Sequence, residues 1–216
     1  MKLKFSGPLY RHVTQEKHAQ DFISGKYIRL STFESCRKYE LSEQGDPEEG
    51  FSIYSHSPIA SSHPDFNTIS TNLGIVIKDS RLNVVMAGNE RVDVIPDAYV
   101  LCMSYRMFDE RLASKFGNYC ISIADIFEFS SMFAEALRSI VPLKTVTAGP
   151  VEYRQRRFKD FEIGPRFSAY TKPADPFSIQ REFRIVAVCE EGHKYEPFGL
   201  QIPNLGDLCR YKRLHP

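Results

Sequence analysis

The stretch Ser178-Ile179-Gln180-Arg181-Glu182-Phe183-Arg184-Ile185-Val186-Ala187-Val188 constrains this chain more than any other. Its alternation reads as a β-strand, with Ile179, Arg181, Phe183 and Ile185 on one face. Gln180, Glu182, Arg184 and Val186 fall on the other. Two-residue spacing puts Gln180 and Glu182 side by side, about 7 Å apart along the strand. A carboxylate on a rigid strand, with a polar neighbour two residues back, can be aimed accurately at a ligand. The same pattern also fits a surface glutamate on a half-exposed strand.

Elsewhere the chain shifts between periods. Leu9-Tyr10-Arg11-His12-Val13 reads as a short strand, followed by a helix through His18, Ala19, Phe22 and Ile23. Thr14 is its expected N-cap and Gly25 its stop. Residues 26–33 read as a second strand, ending in Ser31, Thr32 and Phe33. Residues 55–71, rich in Ser, Pro, His and Asn, are expected to form a long mobile loop. Strands are expected at 75–77, 83–87, 91–95 and 98–104, with Gly88-Asn89 as a hairpin turn. A short helix is expected at 110–116 and a strand at 119–123. The spacing of Ile126, Phe129, Met132, Phe133 and Leu137 predicts an amphipathic helix over 124–137. Strands at 147–153 and 180–188 complete the set. Strand–helix–strand at the front and a strand-rich body predict an α+β fold, with residues 1–216 as one domain.

Charge narrows the function classes. The formal net charge is +1, which by itself does not point to nucleic acid. Its distribution is uneven. Glu34, Glu40, Glu43, Asp46, Glu48 and Glu49 form an acidic stretch. Arg154, Arg156, Arg157 and Lys159, with Phe158 among them, form a basic one, and the tail Arg210-Tyr211-Lys212-Arg213 forms another. Basic residues interleaved with aromatics can hold phosphates and stack on bases, and such clusters also occur as solvated faces. The five cysteines are scattered and make no Cys-x-x-Cys pair, so neither a zinc site nor a disulfide framework is expected. Cys102, Cys120 and Cys189 lie in apolar runs and read as small core residues. No Gly-rich phosphate loop and no Gly-x-Ser-x-Gly elbow is present. No apolar run approaches membrane-spanning length, and residues 1–5 lead into no signal core. The expectation is a cytoplasmic protein without a membrane partner.

Three of these pieces, taken in order, resemble the ADP-ribosyltransferase superfamily. They are Leu9-Tyr10-Arg11-His12 with Gly25 closing the helix, then Ser31-Thr32, then Gln180-Arg181-Glu182. With the Asp46-Pro47-x-Glu49 segment, the layout is similar to bacterial toxins of that superfamily that modify mRNA within toxin–antitoxin–chaperone systems of phage defence. The likeness covers the two ends of the chain, about a third of it. It departs from toxins with an Arg/Ser-Thr-Ser/Glu set in having Phe33 in place of the second Ser and a shorter interval from Arg11 to Ser31.

The resemblance implies split antiparallel β-sheets with a few flanking helices, and NAD as substrate without a metal. It implies transfer of ADP-ribose to nucleic acid, RNA above all, or to a protein acceptor. It also implies a partner antitoxin. Its site would comprise Glu182 as the catalytic residue and Gln180 orienting the acceptor. Arg11 or His12 would hold the ribose or pyrophosphate beside Ser31 and Thr32, and Tyr10, Tyr27, Phe33 or Tyr39 would stack on nicotinamide. The basic set Arg154, Arg156, Arg157 and Lys159 would meet nucleic acid. So sparse a set suits the chemistry. Nicotinamide leaves NAD as a neutral group and needs no general acid, whereas a glycosidase usually needs two carboxylates. A folded module that binds a nucleotide or phage component without turnover is the competing expectation.

Overall fold

The computed structural model describes residues 7–39, 45–78, 81, 83–107 and 109–214. Residues 1–5, Glu40 and Glu43 therefore lie outside the described residues. The chain opens with β1 (Leu9–Val13), α1 (Glu16–Ile23), β2 (Ile28–Thr32) and α2 (Phe33–Arg37). There follow β3 (Phe51–Ser55), β4 (Ile59–Ala60), α3 (Phe66–Asn72), β5 (Val85–Met86) and β6 (Glu90–Val94). The middle holds β7 (Tyr99–Ser104), α4 (Glu110–Phe116), β8 (Tyr119–Ile123), α5 (Ile126–Arg138) and β9 (Leu143–Pro150). The last part holds β10 (Glu152–Tyr153), β11 (Arg157–Lys159), β12 (Thr171–Lys172), β13 (Glu182–Cys189), β14 (Phe198–Leu200) and β15 (Cys209–Arg213). This is an α+β chain with mostly antiparallel sheets and few helices. No described helix is long and apolar enough to cross a membrane.

The main sheet is built around β7. One edge of β7 pairs along its whole length with β13, from Glu182 opposite Ser104 to Ala187 opposite Tyr99. The other edge is shared. β1 pairs at Tyr10 opposite Ser104, and β2 pairs at Ser31 opposite Val100 and Thr32 opposite Tyr99. Between these two points β1 and β2 diverge and leave a fork along Leu101–Met103. Outward from the fork, β8 and β15 extend the β1 side, β14 extends the β2 side, and β9 covers the far edge of β13.

The two faces of this sheet bury different things. On one, Leu9, Leu30, Leu101, Ile121, Phe183 and Ile185 pack beneath α1 and α5. Helix α5 supplies Ile126, Phe129, Phe133 and Leu137, an apolar stripe at helical spacing. Its N-cap Asp125 accepts from the N–H groups of Phe127 and Glu128. On the other face, Val100, Val186 and Val188 pack around Phe33, and the remaining positions of β7 and β13 are Cys102, Ser104, Glu182 and Arg184. A second small core holds Tyr54, Phe66, Ile69, Leu73 and Met86 beside the sheet β11-β3-β6.

Several expectations are corrected. The late strand begins at Glu182, because Phe177–Gln180 is a 3-10 turn and Arg181 takes a left-handed conformation, φ 43. It is also buried on both faces, not half exposed. Thr14 does not cap α1; the N-cap position is Gln15. The second strand stops at Thr32, which N-caps α2 by accepting from the Ser35 N–H at 3.1 Å. Residues 55–71 are not one long loop, since β4 and α3 lie within or overlap them. Residues 75–77 form no strand, and Gly88-Asn89 closes no hairpin, because β5 pairs with β4 and β6 with β3. Gly25 does end α1. Its φ is 70, and a Cβ there would meet the Ile202 carbonyl oxygen at 1.7 Å, so glycine alone fits.

Candidate functional site

The fork between β1 and β2 opens into a cleft of about 310 Å³ on the polar face of the sheet. That lies near the lower end of small-molecule sites, about 300–1,000 Å³. Its walls come from both ends of the chain. Tyr10, Arg11 and His12 of β1 line it, with Ser31 of β2 and Phe33 of α2. Tyr39, half exposed, stands at its edge, and Gln180 and Glu182 close the opposite wall. Of the residues expected from sequence, Thr32 is excluded: it is 2% exposed and spent on capping α2. Tyr27 lies against Gly199, away from the cleft. Phe33 is both a buried core residue and part of the lining. Gln180 reaches the cleft from its 3-10 turn, not from the strand face that alternation assigned.

Glu182 sits in a buried ionic network. Its Oε1 accepts from Arg184 Nε at 2.7 Å, and its Oε2 lies 3.0 Å from Lys172 Nζ. Arg184 also donates from both terminal nitrogens to Glu49, at 2.8 and 2.9 Å. Nearby, Arg156 pairs with both carboxylate oxygens of Asp46 and donates to the Thr171 carbonyl. Burial alone would push the Glu182 carboxyl up. Arg184 and Lys172, together with hydrogen bonds from Arg184 and the Cys102 thiol, outweigh it and hold the group well below the ordinary carboxylate range. For Lys172 burial opposes and Glu182 favours the charged form, and the net direction is up. The carboxylate is thus ionised and fixed in direction.

The fork wall carries charge without a counter-charge. Arg11 donates to two backbone carbonyls, Cys102 at 2.8 Å and Arg29 at 3.3 Å, thereby capping a strand edge that the fork leaves open. No carboxylate pairs with Arg11 among the described residues, and Arg29 lies close enough to repel it. Burial is the main reason its pKa is depressed; even so the guanidinium is a cation with donors to spare. Arg11 and Arg29 belong to the strands beyond β7, and Glu182 to the strand before it. That is two strand spacings, about 10 Å between backbones. Cys102 joins the two walls, with its carbonyl on Arg11 and its thiol toward Glu182, so it is cleft wall while also packing, as expected, against the core cluster of Phe33, Val100 and Val186. Burial, together with Glu182, pushes this thiol well above its ordinary value, which leaves it protonated and inert as a nucleophile. His12 is lowered, chiefly by burial and against the backbone of Arg106 and Gly117, so it is neutral near pH 7.

The basic stretch expected to meet nucleic acid is largely committed elsewhere. Arg156 is 2% exposed and locked to Asp46, so it is structural. Arg157 pairs with Glu48 at 2.6 Å, and Arg154 with Glu152 and the Ile163 carbonyl. Lys159 is exposed. The tail 210–213 is strand β15, paired to β8. Sequence reasoning missed Glu49, Lys172 and Arg184 as parts of the site. The one available signal was a second charged residue, Arg184, on the same strand face as Glu182. Among the described residues no group of three His, Cys, Asp or Glu side chains is placed to hold a metal ion. Compared with protein-family models, curated proteins and solved structures, the chain matches none.

Proposed function

We propose that this chain transfers ADP-ribose from NAD to a macromolecular acceptor, with nucleic acid as the acceptor class. One observation carries the reading. A single cleft joins a cationic wall, Arg11 and Arg29, to an ionised, rigidly aimed Glu182 on the far side of β7. A dinucleotide presents that same polarity, anionic at its pyrophosphate and positive at the nicotinamide ribose as the glycosidic bond weakens.

In this reading Arg11 and Arg29 bind phosphate oxygens through forked donors. Tyr39, half exposed, offers a ring face for the base, whereas the Phe33 ring is buried beneath Arg184. Glu182 needs no proton to act. Its fixed negative charge stabilises the positive charge that develops on the ribose, in a site already dry and already polarised. Its partners Arg184 and Lys172 keep it from rotating and from protonating. Gln180, 9% exposed, accepts from Lys172 Nζ at 3.3 Å and borders the same pocket, where it orients the acceptor.

The test is incubation with NAD labelled in its adenylate part, together with single-stranded RNA, single-stranded DNA or cell extract. Label should become acid-precipitable with wild type. Glu182→Gln should cut the rate about 10²–10³-fold, the usual cost of losing one preorganised electrostatic group. A wild-type protein that neither transfers nor releases label overturns the proposal. A second reading, a nucleotide-binding module without turnover, is favoured by the completeness of Glu182's ion pairing. It predicts NAD binding without bond cleavage, and equal growth of bacteria expressing wild type and Glu182→Gln. The transferase reading predicts growth arrest by wild type alone, relieved by a cognate antitoxin.

A further inference from the structure

Beside the cleft, on the other side of Glu182, lies a second depression of about 580 Å³. Three arginines line it: Arg106 after β7, Arg111 on α4, and Arg181 at the threshold of β13. All three are exposed. One carboxylate, Asp109, borders them. It accepts from Arg106 at 2.6 Å and from the Arg111 backbone N–H at 3.0 Å, so its capacity is taken up by one guanidinium and by capping α4. The guanidinium groups of Arg111 and Arg181 have no carboxylate partner among the described residues.

The backbone sets this arrangement. Arg181 is left-handed, with φ 43 and ψ 50, a conformation an arginine rarely adopts. Gln180 and Glu182 thereby line the cleft while Arg181 between them lines the basin. The two depressions share a wall. Tyr153 borders the basin, and its hydroxyl accepts from the Glu182 backbone N–H at 2.8 Å. His12 lines the cleft, and its Nε2 faces the Arg106 carbonyl at 3.4 Å.

We infer that the basin formed by Arg106, Arg111 and Arg181 binds the phosphodiester backbone of a single-stranded nucleic acid and holds it against the Glu182 side of the cleft. The inference rests on the transferase reading for its purpose, but not for its test. Clustered guanidinium groups with a single, already committed carboxylate repel one another, and a polyanion relieves that repulsion. Forked donors match phosphate oxygens bidentately. A single strand fits better than a duplex, because its bases are free to leave the backbone and enter a neighbouring pocket. The site replaces the stretch 154–159, whose arginines are paired with Asp46, Glu48 and Glu152.

The test is fluorescence anisotropy of labelled single-stranded oligonucleotides without NAD, from 50 to 200 mM salt, with Arg111→Gln/Arg181→Gln against wild type. Binding should weaken about tenfold whatever the base sequence. The log–log salt slope should fall by about 1.4, roughly 0.7 for each lost phosphate contact. Oligoribonucleotide and oligodeoxyribonucleotide should lose affinity alike, since both present phosphate. Arg154→Gln/Arg157→Gln should leave affinity and slope unchanged. Unaltered binding by the first variant overturns the inference. So does a wild type that binds no oligonucleotide, or one that prefers an acidic peptide at the same arginines. Arginine-dependent binding alongside absent NAD turnover would sink the transferase reading and leave the basin standing; the converse would sink the basin alone.

Discussion

Two arginines on opposite walls of one cleft, Arg184 and Arg11, have opposite surroundings. Arg184 is 1% exposed and donates to Glu49, Glu182 and the Ala169 carbonyl. Arg11 donates to carbonyls alone. The first spends its charge inside the protein. The second keeps its charge for something that arrives. In the proposed reading, the paired arginine holds the architecture and the uncompensated one receives an anion.

The contrast breaks most visibly at Arg184. Arg184→Leu should destabilise the fold by about 3 kcal/mol, because it leaves the buried carboxylates of Glu49 and Glu182 with only Lys172 and the more distant Arg156 as counter-charges. Urea unfolding followed by circular dichroism would measure it, and a shift below about 1 kcal/mol would mean the network is dispensable. Acid probes the same network. The Glu182 carboxyl is depressed in the folded state, so the unfolded chain takes up its proton first. Its contribution is fully present above the ordinary value of 4.5 and is lost as pH falls through the lower folded value. The Glu182 share of the urea midpoint should hold level from about pH 8 to 5 and fall below that, while His12, whose proton the unfolded chain takes up first, adds a shallower fall below its ordinary value of 6.5. NAD turnover should show no ascending limb from Glu182 over the same range.

At Arg11 the effects should reverse. Arg11→Gln keeps a donor for the Cys102 carbonyl but removes the cation. NAD affinity, read by equilibrium dialysis, should fall about 10–100-fold, as expected for about 1.5–3 kcal/mol of charge-assisted hydrogen bonding. Stability should change by less than about 1 kcal/mol. A variant that loses stability and keeps affinity would invert the roles assigned to the two arginines.

The cleft was more legible in the sequence than the partnerships that line it. Tyr10, Arg11, His12, Ser31 and Glu182 were brought together by the order in which they resemble a known superfamily; the local strand pattern showed only that each sits on or beside a strand. Who pairs with whom is not local. Arg184 meets Glu49 across 135 positions and Arg156 meets Asp46 across 110, so a basic run in sequence gives no hint of which members are already neutralised. Gln180 was misplaced for a different reason. Its run keeps a two-residue period through Arg181, and only the left-handed turn there breaks the strand. Helix α3 was hidden by composition. Asn67, Thr68, Ser70, Thr71 and Asn72 are weak helix formers, and the turns persist because Phe66 and Ile69 are buried against Tyr54 and Met86. Thr32 looked like a ligand residue because its hydroxyl was visible and its capping role was not, the usual capping-box acid being replaced here by Ser35.

The smallest effect is expected where pairing and exposure coincide. Arg157 is paired with Glu48 at 2.6 Å, yet the two side chains are 59% and 41% exposed. Water competes for both ions and salt screens them, so such a pair contributes about 0–1 kcal/mol. Arg157→Gln should therefore shift the urea midpoint barely at all, and raising salt from 50 to 500 mM should erase what shift there is. The same substitution should leave oligonucleotide binding alone, because Glu48 already faces this guanidinium. A marked loss of binding from Arg157→Gln would show that a surface carboxylate does not disqualify an arginine from meeting phosphate. Pairing would then stop being the criterion, and burial alone would separate the structural arginines, Arg156 and Arg184, from the rest.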